Sequence, residues 1–273
     1  MSKLETALRH AKESRDKKGH PKPHRRRVTD SPPQLDGASK IWTNLGKVEL
    51  DPACMARNRI IMGLHNPASA EMAYNMLRTR LIKRMRDNKW SSIVLTSPNS
   101  GAGKSVTAIN LAASVAREPN QTAYLIDLDL REPSLHDYLG VKPQSDLTAY
   151  LNGHAEITDV LAYAGIPKLY FGFSTVPQQH SADLLASRRM GQFVEEVKTR
   201  DPHGLILYDA PPVLEADDVL AFAPQFDAVI LIVAEGETKR DDLRKSIDIL
   251  SDINIAGVVL NKSLSVLEKS VYY

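Results

Sequence analysis

Six short, almost uninterrupted apolar runs recur through the C-terminal two-thirds of the chain: Ile93–Leu95, TAYLID at 122–127, KLYFGF at 168–173, GLILYDA at 204–210, AVILIVA at 228–234 and AGVVLN at 256–261. Each has the length of a strand and is too short for a buried helix. Segments of helical period precede or separate most of them, notably Glu71–Arg86, Ser187–Thr199 and Lys239–Asp252. Strands that are apolar on both faces and alternate with helices predict an α/β fold, a mostly parallel sheet covered by helices on both sides. In such sheets ligands bind beyond the carboxyl ends of strands, which is where Ser97, Asp127, Asp209 and Asn261 fall.

The first run leads into SPNSGAGKS at 97–105 and then into a helical pattern. Gly101 and Gly103 let the backbone approach an anion closely, so that successive N–H groups and a helix N-terminus point at one phosphate site. The pattern is a Walker A loop, with Pro98 where the first glycine usually stands. It predicts a nucleotide-binding set of Ser100, Gly101, Ala102, Gly103, Lys104, Ser105 and Val106, with Lys104 on the β- and γ-phosphates of ATP and the Ser105 hydroxyl on Mg²⁺.

Two acidic clusters end strands, Asp127-Leu128-Asp129-Leu130-Arg131 and Asp209-Ala210-Pro211-Pro212. Mg²⁺ takes one or two carboxylates and keeps several waters, so Ser105, Asp127 and Asp209 are the metal candidates, Asp209 in the Walker B role. In an extended segment residues i and i+2 share a side, which would turn both Asp127 and Asp129 toward the phosphates. One of them can then accept a proton from an attacking hydroxyl. Arg131 would add positive charge there, and Asn261 would meet the base. The competing reading is that the aspartates cap the helices that follow and that Asn261 is a turn residue.

At 273 residues and 42% apolar content the chain holds one α/β domain of about 200 residues plus an appendage. The first 30 residues carry ten Lys/Arg against four Asp/Glu, a net +6, and the remaining 243 sum to −4. The basic character therefore belongs to a tail, and a basic nucleic-acid-binding globule is excluded. The expected division is a short amphipathic helix over 1–15, a basic, Pro-rich and mostly disordered linker over 16–66, the nucleotide-binding domain over 67–265 and a tail over 266–273. The single Cys54 excludes an internal disulfide, and no window approaches 18 apolar residues. The expectation is a cytoplasmic protein that reaches a membrane only through a partner. Trp42, Trp90, Cys54 and the histidines show no metal-ligand spacing.

SPNSGAGKS, YLIDLDLREP, LILYDAPPV and GVVLNK, in this order, resemble the bacterial tyrosine autokinases that accompany exopolysaccharide and capsule synthesis, a branch of the deviant-Walker P-loop ATPases. The resemblance runs from about Ser69 to Lys262. It implies an ATP- and Mg²⁺-dependent protein-tyrosine kinase in which Lys104, Asp127, Asp129 and Arg131 serve catalysis. It also implies a membrane chain-length determinant as activator, self-association, and autophosphorylation of a tyrosine-bearing tail, here Tyr272 and Tyr273. The family's E-x-x-R-x-x-R assembly pattern reads Met72, Asn75 and Arg78, so ring formation is not expected. Two other readings share parts of the pattern. A partitioning or septum-placement ATPase would carry a signature lysine where Asn99 stands, and a nucleotide-binding scaffold would lack strong kinase activity.

Overall fold

In a computed structural model of the chain, residues 42, 44–62 and 68–263 are described. The expected helix over 1–15, most of the linker, and Tyr272 and Tyr273 lie outside the described residues. The strands are β1 (Gly46–Lys47), β2 (Ser92–Thr96), β3 (Ala123–Asp127), β4 (Leu161–Tyr163), β5 (Leu169–Gly172), β6 (Leu205–Asp209), β7 (Ala228–Ala234) and β8 (Ile255–Asn261). The helices are α1 (Pro52–Arg57), α2 (Ala68–Asn88), α3 (Lys104–Ala116), α4 (Leu135–Leu139), α5 (Leu147–Leu151), α6 (Ile157–Val160), α7 (Ser181–Leu185), α8 (Arg188–Arg200), α9 (Asp218–Phe222) and α10 (Arg240–Ile249).

The strands form one sheet in the order β1-β4-β5-β3-β6-β2-β7-β8. Every pairing is parallel except β4 with β5. Alternation along each strand feeds two separate cores. Ile93, Leu95, Leu125, Leu207 and Ile230 pack on the side of α2 and α3, while Val94, Ile126, Ile206, Tyr208 and Leu231 face the side of α8 and α9. Because both faces are covered, β2, β3 and β6 are buried at every position. That explains their continuous apolar spelling.

Helix α8 shows why the sequence pattern was readable. The Ser187 hydroxyl accepts the Met190 N–H as its N-cap, and Met190, Phe193, Val194 and Val197 line one buried stripe. Each such side chain contributes roughly 2 kcal/mol through burial.

The expected linker is shorter than 16–66, because residues 44–62 pack onto the domain. Asp51 caps α1 by accepting the Ala53 and Cys54 N–H groups, and Met55, Ile60 and Met62 enter the core. Asn110 of α3 pins the following segment, accepting the Ile61 N–H at 2.7 Å and donating to the Arg59 carbonyl at 3.1 Å. A six-residue helix and a two-residue edge strand offer too little periodicity to be recognised from sequence.

A candidate nucleotide site at the strand ends

The loop from Ser97 to Gly103 joins β2 to α3, the central helix, whose Ala108, Ile109, Leu111, Ala112 and Val115 are fully buried. Gly101 and Gly103 hold φ of +81° and +85°, a conformation that L side chains rarely adopt. A Cβ on Gly103 would also collide with the Asn261 amide, which donates to the Ala102 carbonyl at 2.8 Å. Gly103 is the N-cap of α3 and no side chain caps that helix. Its leading N–H groups are therefore available to an anion.

Beside this loop, the ends of β3 and β6 place Asp127 and Asp209 directly opposite each other in parallel register, with Leu95 of β2 next in the row. Strand neighbours are about 5 Å apart. Both aspartates are fully buried and Asp129 is 4% exposed. The Lys104 ammonium donates to Asp129 Oδ2 at 2.8 Å. Three buried carboxylates thus surround one ammonium.

The electrostatics follow from that count. Burial alone would lower the Lys104 pKa, but Asp209, Asp129 and Asp127 outweigh it and hold the ammonium above its ordinary value. Burial pushes the Asp209 carboxyl up to about 6, partly offset by Lys104 and by the neighbouring Ser105 hydroxyl, with Asp129 adding to the rise. Asp127 is pushed well above its ordinary value, first by burial and then by Asp209, against the Leu135 and Ser134 N–H groups.

The hydrogen bonds distinguish the three acids. Asp127 accepts the N–H groups of Asp129, Ser134 and Leu135, each at 3.2 Å, so it also secures the start of α4. Asp129 lies past the end of β3. Its Oδ1 accepts the Glu132 N–H at 3.1 Å while Oδ2 meets Lys104. Among the described residues neither buried oxygen of Asp209 has a hydrogen-bond partner of good geometry; the Ser105 hydroxyl is near enough to favour the charged carboxylate, and its Oγ also lies 3.5 Å from Ser134 Oγ. Orphaned carboxylate oxygens beside a hydroxyl, in a pocket with surplus negative charge, fit a divalent cation. Among the described residues no group of three or more His, Cys, Asp or Glu forms a closed metal cage.

Other expected residues sit differently. Arg131 does not stand free: it donates to Ser181 Oγ at 3.0 Å, to Asp218 Oδ2 at 3.1 Å and to Asp217 Oδ1 at 2.9 Å. Asn261 spends its amide on the loop backbone. The Ser100 N–H and hydroxyl both engage Glu215, an acid six residues past Asp209 that the sequence reading did not single out. The Asn99 amide donates to Asp242 Oδ2 at 2.9 Å. Arg78, the one arginine kept from the assembly pattern, turns inward, with Nε 2.9 Å from Glu118 Oε1 and Nη1 on the Ser114 carbonyl.

Residues 93–270 match the family described as the CobQ/CobB/MinD/ParA nucleotide binding domain. The chain belongs to this family. Within it, the chain sits with the bacterial tyrosine kinases: the tyrosine-protein kinase CpsD of Streptococcus pneumoniae serotype 4 is 33% identical over 199 residues, covering 71% of this chain and 84% of CpsD. Among solved structures, the kinase domain of Escherichia coli tyrosine kinase ETK superposes with a TM-score of 0.67 at 25% identity, over 75% of this chain and 80% of that one. EpsB of Ralstonia solanacearum is 31% identical over 191 residues, 69% of this chain, and the chain spans only a quarter of EpsB. Among the described residues, no helix is long and apolar enough to cross a membrane.

Proposed function

We propose that this chain is an ATP- and Mg²⁺-dependent protein-tyrosine kinase serving exopolysaccharide or capsule synthesis. The observation that supports it best is the convergence of Lys104, Asp127, Asp129 and Asp209 on an uncapped helix N-terminus, in a chain one-third identical to CpsD.

In this reading Lys104 and the N–H groups of Gly101 to Val106 bind the phosphates, and Ser105 and Asp209 hold the metal, with Asp127 behind them. Bound Mg²⁺ would neutralise charge on the transferred phosphoryl group. Phosphoryl transfer asks the protein mainly for positioning and charge, together with a placed proton acceptor. Asp129 suits that last task, since its Oδ2 is held by a lysine that phosphate would draw away, leaving the oxygen open to a tyrosine hydroxyl. Tyr272 and Tyr273 are the proposed acceptors. A membrane chain-length determinant is the proposed activator, bringing the kinase to the inner face of the cell membrane, and self-association would use contacts other than the E-x-x-R-x-x-R pattern.

The partitioning-ATPase reading lacks support, since the position of its signature lysine is Asn99 and the side chain there is committed to Asp242. A phosphotyrosine blot of the full chain with ATP, Mg²⁺ and the co-purified partner tests the proposal. Signal in the native chain and none in Lys104→Met is expected; a silent native chain beside an active partner would overturn it.

A further inference from the structure

The loop that leaves β6 after Asp209 is laid along the phosphate loop by its backbone. Ala210 N–H donates to the Leu95 carbonyl at 3.0 Å, Val213 N–H to Ser97 at 2.9 Å and Leu214 N–H to Pro98 at 3.3 Å, while the Thr96 hydroxyl donates to the Pro211 carbonyl at 2.6 Å. A turn closed by Glu215 N–H on the Pro212 carbonyl at 3.0 Å follows, and Asp217 and Asp218 then anchor the loop on Arg131. The backbone on both sides of Glu215 is fixed, so only its side chain has to move.

That side chain is exposed, and both its oxygens are spent on one residue of the phosphate loop. Oε1 accepts the Ser100 N–H and Oε2 accepts the Ser100 hydroxyl, each at 2.7 Å. Short charge-assisted bonds of this kind are the stronger class. A loop built to bind anions therefore already holds one, supplied by the chain itself. On the adjoining residue Asp242 accepts the Asn99 amide, so a second negative charge stands at the same rim.

We infer that Glu215 is a gate on the phosphate loop that sets the relative affinity for nucleoside triphosphate and diphosphate. The inference rests on the nucleotide-binding reading above. An incoming phosphate chain must compete with the carboxylate for Ser100 and bear its repulsion, which grows with the charge of the nucleotide. The triphosphate carries one more negative charge than the diphosphate and is penalised more. Glu215 thus keeps the loop ordered when nucleotide is absent and holds back premature occupancy by ATP.

The test is calorimetric titration of the full chain and Glu215→Gln with AMP-PNP and with ADP, both in Mg²⁺. Amide exchange across residues 97–103 of the nucleotide-free proteins is followed in parallel. Because Glu215 is exposed, the substitution leaves the core untouched. AMP-PNP is expected to bind Glu215→Gln about tenfold more tightly and ADP at most about threefold more tightly, with faster exchange at Ser100 in the free variant. Equal affinities in the two proteins, or an identical gain for both nucleotides, would overturn the gate. If the native chain and the variant both failed to bind either nucleotide, the nucleotide-binding reading would fall and the gate with it.

Discussion

Replacing Asp209 with asparagine should make the metal-free protein more stable at neutral pH while removing what the site is built to hold. The Asp209 carboxyl stands near 6 against an ordinary value of 3.8. Its charged form is therefore disfavoured in the folded state. Between about pH 4 and 6 the folded chain keeps a proton that the unfolded chain has released, so stability falls as pH rises across that window and levels off above it. That rise puts the cost on the order of 3 kcal/mol at pH 7.5. Burial sets it, with Lys104 and the Ser105 hydroxyl acting in the opposite sense and the nearby Asp129 adding to the rise. Asparagine carries no charge and nearly the same shape. In EDTA, urea unfolding at pH 7.5 should show Asp209→Asn more stable than the native chain by up to about 3 kcal/mol, the difference shrinking toward pH 4. Adding Mg²⁺ and nucleotide should stabilise the native chain more than the variant, which keeps Lys104 and the loop N–H groups but loses a metal ligand. A variant less stable than the native chain at pH 7.5 in EDTA, or a difference unchanged between pH 4 and 7.5, would refute the idea that this carboxylate is only partly compensated.

Lys104→Met should weaken nucleotide binding by roughly tenfold to a hundredfold, read by calorimetry, because a charged hydrogen-bond donor to phosphate is lost. Gly103→Ala should cost about 1–2 kcal/mol in thermal unfolding from its left-handed φ alone, and should disturb binding further by pushing the Asn261 amide off the loop. Trp42→Ala should cost about 3–5 kcal/mol, since this buried indole donates to the Tyr124 hydroxyl at 2.9 Å and lies beneath the Arg200 guanidinium at 4.7 Å. Chemical denaturation would show it, and a loss under 1 kcal/mol would mean that the indole does not anchor the chain there.

The central strands and the long helices were legible because each is regular over enough residues to show its period. β7 and β8 end where their apolar runs end, and α8 starts one residue after the serine that opens its pattern. The elements that escaped are short or depend on distant partners. β4 has three residues and runs antiparallel to β5, a pairing no local spacing encodes. Residues 44–62 looked like linker because their buried side chains are few and widely spaced, and their placement relies on Asn110, some 50 residues away. At the site, the loop glycines and the strand-end aspartates were readable from type and position. The extended geometry assumed through Asp129 was not, because β3 stops at Asp127 and leaves Asp129 outside the strand. Glu215 and Asp242 were invisible for the same reason as Asn110: an acid far along the chain gains its meaning only when the fold lays it against residues 99 and 100.

Three aspartates of one type meet at one ammonium, and their hydrogen bonds separate what each can do in the kinase reading. Asp127 has three N–H donors on its oxygens. Its lone pairs are largely committed to backbone N–H groups, so it is better placed to fix the turn into α4 and shape the field than to meet a substrate hydroxyl. Asp209 has two buried oxygens with no hydrogen-bond partner of good geometry among the described residues, a costly arrangement that Lys104 and Ser105 offset only in part, and a divalent cation carries the charge to offset the rest. Asp129 is the least buried of the three, and its Oδ2 is held only by Lys104. Under the proposed function, phosphate drawing that lysine away would expose a carboxylate oxygen at the moment a hydroxyl needs one. In that reading, ion pairing with Lys104 and proton acceptance by Asp129 would be two states of a single contact, and the lysine that binds phosphate would also control when the base is free.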